Sequence, residues 1–211
     1  MAKKIDLPAD KIYFTSDIHF GHKWLLDFNK RPFEDEKHMD EFLIQNWNNT
    51  VPCDGLVFVL GDIGITDDSY ISDIFMQLNG QKILIRGNHD DIYSEETLES
   101  IFSEIYDLLE IQIYDTIEAK LQDIVLCHYP MFDWNNFFRG TWQLFGHIHT
   151  RNLAEFETVK NKLFPTQYDV GVDGNQFRPI SFYEVKAIIE KQIQDTTFKQ
   201  SNYYSIIKYF E

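Results

Sequence analysis

The chain has 211 residues, 44% of them hydrophobic and 16% aromatic, with 10 Gly and 6 Pro. That balance fits one globular domain and excludes a disordered or repeat-built chain. The formal net charge of −15 repels polyanions, so duplex nucleic acid is disfavoured as a partner, whereas divalent cations are the natural complement of such a surface. The basic start Met1-Ala2-Lys3-Lys4 is broken by Asp6, Pro8 and Asp10 before an apolar stretch forms, so it does not read as a signal peptide. No run approaches the roughly 18 to 20 apolar residues that span a bilayer. A soluble, cytoplasmic protein with no membrane partner is expected, and the two cysteines, Cys53 and Cys127, fit a reducing compartment.

In chain order, Lys11 to Ser16 alternates as a strand does and runs into Asp17-Ile18-His19. Residues two apart on a strand share a face, so Asp17 and His19 are expected to point at one ion. Phe20-Gly21-His22 follows, with His22 placed either to reach the same cleft or to cap the next helix. A short helix over Trp24–Phe28 is broken by Arg31-Pro32-Phe33. Met39, Phe42, Leu43 and Trp47 recur at three- and four-residue spacing and predict an amphipathic helix over Glu36–Asn49. Leu56 to Leu60 is a fully apolar run that reads as a buried strand ending in Gly61-Asp62. A carboxylate there is costly unless paired or bound to metal.

A helix over Asp68–Leu78 closes at Asn79-Gly80, and a strand from Lys82 to Arg86 delivers Gly87-Asn88-His89-Asp90. Ser94 opens a short helix through Phe102. Strands over Leu109–Ile117 and Leu121–Leu126, with Ala119-Lys120 as the turn between them, deliver His128-Tyr129-Pro130. Trp142 to Phe145 delivers Gly146-His147-Ile148-His149, Tyr168 to Asp173 reads as a further strand, and Ser181 starts a helix striped with Val185, Ile188 and Ile189. One domain over residues 1–211 is expected, with 196–211 as an aromatic tail whose packing the sequence leaves open.

Every histidine except His38 lies within or beside one of these loop motifs. Imidazoles mixed with carboxylate and amide oxygens, and no thiolates, suit Mn, Fe, Zn or Ni. Two aspartates, one asparagine and four histidines are too many for one ion, and a binuclear centre roughly 3.5 to 4 Å across accounts for them.

The ordered set Asp17-x-His19, Gly61-Asp62, Gly87-Asn88-His89, His128 and Gly146-His147-x-His149 resembles the calcineurin-like metallophosphoesterase superfamily and covers nearly the whole chain. Phe20-Gly21-His22, Arg31-Pro32-Phe33, His128-Tyr129-Pro130 and Val170-Gly171-Val172-Asp173 further resemble a small bacterial, archaeal and phage branch. The resemblance implies an α/β fold, a four-layer α-β-β-α sandwich of two mixed sheets flanked by helices. It also implies two divalent transition-metal ions, with Mn the expected ion in vitro. It assigns Asp17, His19 and His149 to one ion, Asn88, His128 and His147 to the other, and Asp62 to the bridge. The implied activity is hydrolysis of a small phosphodiester, phosphomonoester or nucleotide by a metal-bridging hydroxide, with His89 as general acid.

His22, Arg31 and Arg139 are the candidates for substrate contacts, since an arginine fork matches phosphate geometry. The sequence departs from the protein Ser/Thr phosphatases, in which this second motif continues into Asp-Arg-Gly. Here Ile63-Gly64-Ile65-Thr66 follows, which argues against phosphoprotein hydrolysis and leaves the support of His89 to Asp90 or a backbone carbonyl. The rival readings are a non-catalytic metal-binding scaffold of the same fold and a nuclease acting on short single strands. The oligomeric state is open, a homo-oligomer included.

Overall fold

The computed structural model describes residues 2–150, 158–159 and 162–195. Its strands are β1 (Lys3–Ile5), β2 (Ile12–Thr15), β3 (Leu56–Val59), β4 (Gln81–Ile85), β5 (Glu104–Tyr106), β6 (Leu108–Asp115), β7 (Lys120–Cys127), β8 (Trp142–Phe145), β9 (Gln167–Asp169) and β10 (Ile180–Ser181). They form two five-stranded sheets, ordered β10-β2-β3-β4-β5 and β1-β6-β7-β8-β9. In the first sheet β2 to β5 are parallel and β10 runs against β2. In the second, only the β6–β7 hairpin is antiparallel.

The strand period of two decides which core each residue enters. Ile12, Phe14, Leu56, Phe58, Ile83 and Ile85 face the second sheet and meet Ile111, Ile113, Ile124, Leu126 and Leu144. The intervening Tyr13, Val57, Val59 and Leu84 face outward and pack under helices. Strands buried on both sides read as continuous apolar runs, which is why Leu56 to Leu60 carries no polar residue.

Helices α2 (Glu36–Thr50), α3 (Asp68–Gln77) and α4 (Glu95–Ile101) supply that outer cover through Met39, Leu43, Trp47, Ile71, Ile74, Phe75 and Leu98. The preceding α1 (Lys23–Phe28) buries only Leu25. Helix α5 (Phe182–Gln194) starts at a capping box of Ser181 and Glu184 and sends Phe182, Val185 and Ile189 into the core between the sheets. The outer side of the second sheet meets Trp134, Phe137 and Phe164 over Val125. Two mixed sheets flanked by helices are thus the architecture.

Element ends differ from the sequence expectation for local reasons. The strand expected over Tyr168–Asp173 stops at Asp169, whose carboxylate accepts from the Gly171 N–H at 2.8 Å and turns the chain. The β6–β7 turn starts earlier than Ala119-Lys120 because Asp115 Oδ1 accepts from Ile117 N at 2.8 Å. Strands β1, β5 and β10 have two or three residues each, too few to show a period. Cys127, which ends the apolar run of β7, is half-buried. The aromatic tail lies outside the described residues.

Gly146 follows β8 where strand ends of the two sheets converge. A Cβ there would stand 2.0 Å from Ser16 Oγ and 2.3 Å from Asp17 Oδ2. Ser16 cannot swing away cheaply, because its buried hydroxyl donates to Leu60 O at 2.7 Å. Gly146→Ala should therefore cost about 1–3 kcal/mol as an overpacking change, read as a lower urea midpoint. An unchanged midpoint would mean that the two sheets can separate at this end.

Candidate metal centre

All five motifs sit just beyond the C-terminal ends of β2, β3, β4, β7 and β8. Each of these strands has a parallel neighbour in its sheet, and this end of a parallel sheet commonly carries chemistry. The expectation that Asp17 and His19 share a face through strand alternation is not met, because β2 ends at Thr15. Instead both residues are left-handed, with φ of 53° and 57°, as are Asp62 (56°), His147 (70°) and His149 (49°). Such backbone costs of order 1–3 kcal/mol per residue. It is held by Asp17 N on Gly61 O at 3.1 Å, His19 N on Asp62 O at 3.1 Å and Ile148 N on Gly146 O at 2.8 Å.

The side chains gather on both sides of Asp62. On one side, Asp17, His19 and His149 bring one ligand atom each within 4.8 Å of the others, and a second such group, Asp17, Asp62 and His128, spans both sides. Asp62 Oδ2 lies 3.6 Å from His19 Nε2 and 3.6 Å from His128 Nε2. On the other side, Asn88 Oδ1 is 3.0 Å from His128 Nε2 and 3.0 Å from His147 Nδ1. His128 Nδ1 faces the carbonyl of Leu60 at 2.7 Å and can only donate to it, which turns Nε2 towards the asparagine oxygen and Asp62.

The supporting groups are carboxylates. Asp90 is buried and accepts from the N–H groups of Asp62 (3.1 Å), Ile63 (2.9 Å) and Gly87 (2.7 Å), so it ties the β3 loop to the β4 loop. With its oxygens so occupied it does not hold the His89 ring. His89 is instead anchored through its own N–H on Asp62 Oδ1 at 3.0 Å. Asp173 accepts from His149 Nδ1 at 2.8 Å, which turns Nε2 towards Asp17 at 3.5 Å. This is the carboxylate–histidine arrangement that commonly orients a metal ligand.

Arg31 is not placed to touch a substrate. Its guanidinium is buried against Asp173 through two 2.9 Å bonds and against the carbonyls of Asp17 (2.7 Å) and Ile18 (2.8 Å). Arg139 is also remote, lining a cleft with Asp115, Lys120 and Lys186. His22 does reach the metal cleft, its Nδ1 3.2 Å from His19 Nδ1. A proton on His19 Nδ1 donated to His22 leaves His19 Nε2 free towards Asp62. Asp173, the residue whose role the sequence did not reveal, was visible only as a carboxylate ending the run Val170-Gly171-Val172.

Electrostatics describe a site built for positive charge. Burial pushes the Asp17 carboxyl up to about 7 and raises Asp90. Burial, with Arg31 nearby, holds His19 well below the usual imidazole range, and burial with His128 lowers His147. At His149 burial acts downward, but the hydrogen bond to Asp173 and the charge of Asp17 outweigh it and the net shift is upward. At Asp173 burial acts upward and is outweighed by His149 and Arg31, giving about 2. Neutral imidazoles beside buried carboxylates are the state a divalent cation requires. His19 Nε2 is buried without a hydrogen-bond partner, as a ligand nitrogen is when its partner is a metal. The donor set of carboxylate, amide and imidazole fits a divalent transition metal.

The chain is 30% identical over 183 residues to an uncharacterized protein of Methanocaldococcus jannaschii, covering 86% of this chain and 92% of that one. It is 27% identical to the Gene 66 protein of Mycobacterium phage D29, over 77% of this chain and 87% of the relative. A solved structure of a protein of unknown function from Aquifex aeolicus superposes with a TM-score of 0.61 at 25% identity, covering 84% of this chain and 98% of that one. The family model described as calcineurin-like phosphoesterase matches residues 10–151, a span that carries all five of these loops, and the chain belongs to that family.

Proposed function

We propose that the chain is a dinuclear metal-dependent phosphoesterase that hydrolyses a small phosphodiester, phosphomonoester or nucleotide. The observation that carries this reading is the convergence of carboxylate, amide and imidazole groups on two sides of Asp62: Asp17, His19 and His149 on one, Asn88, His128 and His147 on the other. Divalent cations held by these sets would acidify water and neutralise phosphoryl oxygens. Manganese is the ion to load first.

The remaining work falls to the chain. Asp62 lies between the two sets and, through Oδ1, fixes the backbone of His89. The ring of His89 is half-buried at the cleft wall, 5.6 Å from the ring of His19 and 6.4 Å from that of His22. Those contacts position it by packing, in place of the orienting carboxylate that the second motif lacks. From there it protonates the leaving oxygen, a contribution of about 10²- to 10⁴-fold. His22 fixes the His19 tautomer, and Asp173 that of His149.

Metal analysis and turnover of bis-p-nitrophenyl phosphate and p-nitrophenyl phosphate by manganese-loaded protein test the division of roles. Asp62→Ala and His147→Ala should lose bound metal and activity together. His89→Ala should keep the metal and lose about 10²- to 10⁴-fold in turnover. Equal metal loss in all three would overturn the assignment. Preference for the diester or the monoester then sorts the substrate class.

The support of His149 is testable separately. Asp173→Asn keeps the shape of the side chain but removes the charge that fixes the imidazole. Metal affinity should fall about 10- to 100-fold, measured by titrating apoprotein with manganese. Unchanged affinity would mean that His149 is oriented by something other than Asp173.

A further inference from the structure

Beside the metal centre lies a cleft of about 410 Å³ whose wall changes character along its length. The inner part is formed by His19, His22, His89 and His149, and the outer part by Trp24 and Phe28 on α1. Trp24 is 60% exposed and Phe28 63% exposed, whereas Trp47, Trp134 and Trp142 are at most 5% exposed. A single exposed aromatic is ordinary on a protein surface. Here two of them, four residues apart on one helix, stack with centroids 4.3 Å apart and planes 18° from parallel. The stack continues inward, since Trp24 stacks on His22 at 6.1 Å and 25°, and His22 lies 5.1 Å from the ring of His19. An aromatic shelf therefore leads from a candidate metal ligand to open solvent.

Folding alone does not account for the shelf. Helix α1 buries Leu25 and leaves its largest apolar groups facing out, so it presents more ring surface to the cleft than to the core. The outer wall offers a flat π surface with Leu25 and Ile65 around it and, among the described residues that line it, no fork of cationic donors to hold a second phosphate.

Resting on the phosphoesterase reading, we propose that Trp24 and Phe28 bind the nucleobase of a nucleoside phosphoester whose phosphoryl group sits at the metal centre. A nucleoside presents a planar ring one sugar away from its phosphate, which matches a shelf that starts one histidine away from a ligand. Stacking on aromatic faces tolerates every base, so the shelf selects for a base without choosing which one. The net charge of −15 keeps the preferred substrate short, because a long strand needs a basic track.

The test compares two phosphodiesters with the same leaving group, the p-nitrophenyl esters of thymidine phosphate and of ethyl phosphate, on manganese-loaded protein. Wild type should prefer the nucleoside ester. Trp24→Ala should reduce that preference about 5- to 140-fold, mainly through KM, the equivalent of about 1–3 kcal/mol for one stacked base at 1.4 kcal/mol per tenfold. Trp24→Phe should restore part of it. Met76→Ala, an equally exposed apolar truncation on α3, should retain the wild-type preference. An undiminished preference in Trp24→Ala, or a change in its oligomeric mass that accounts for the loss, would overturn the shelf. Adenosine monophosphate added to metal-free protein gives a second readout. It should quench wild-type tryptophan fluorescence saturably, and Trp24→Phe should lose that quenching. Wild type that hydrolyses neither ester yet shows the quenching would sink the phosphoesterase reading alone, whereas turnover of both esters without preference or quenching would sink the shelf alone.

Discussion

Two buried carboxylates, Asp17 and Asp62, face each other's surroundings at the meeting point of the two sheets, and among the described residues neither forms an ion pair with a lysine or arginine. Buried charge without a partner is among the most costly things a fold can hold. A proton is one remedy, and burial does push Asp17 up to about 7. A divalent cation is the other, and it would be shared with the imidazoles of His19, His128 and His149 that stand beside the pair. Loops in left-handed backbone, glycines that let strand ends touch, and an orphaned His19 nitrogen all follow from keeping these acceptors together. A cation bound here would therefore stabilise the fold as well as complete the site.

The next layer out is also acidic but fully satisfied. Asp90 accepts from three main-chain N–H groups, and Asp173 accepts from Arg31 and His149. A buried arginine–carboxylate pair contributes little net stability over apolar residues of the same shape. Its use here is directional, since it sets the tautomer of His149 while two further Arg31 bonds hold the carbonyls of Asp17 and Ile18. The arginine that a phosphate-binding reading would place in the cleft is thus consumed behind it.

That these loops carry the polar residues gathered here was legible in the sequence because each follows an apolar run, and a polar residue directly after a buried strand must be paired, hydrogen-bonded or bound to a metal. Asp62 after Leu56 to Leu60 is the clearest instance. Its geometry was not legible. Asp17 and His19 share a target through two left-handed residues, not through strand alternation, and local pattern does not report φ. The pairing of Arg31 with Asp173 spans 142 positions, so no window of sequence contains it. Parallel sheets have the same property: β2, β3 and β4 were visible as strands, while their order and the edge strands β1 and β10 depended on contacts between distant segments. Helix starts were read well where a side chain caps them, as at Ser181, because that signal is local.

Family membership sets the chemistry and leaves the substrate open, since one fold serves many substrates. What distinguishes members is the part of the molecule that touches the substrate away from the reacting phosphorus. In the reading proposed for this chain that part is α1, a six-residue helix that contributes one buried leucine to the core and two stacked rings to the cleft. Binding energy taken from a remote ring can hold the phosphoryl group in place and so accelerate a reaction in which the ring takes no part. An acidic protein gains particularly from such a handle. A net charge of −15 disfavours phosphate over most of the surface, so under the proposed reading attraction and selection are separated: a cation-loaded centre would attract any phosphoester, and an uncharged aromatic surface would decide which ones stay long enough to react.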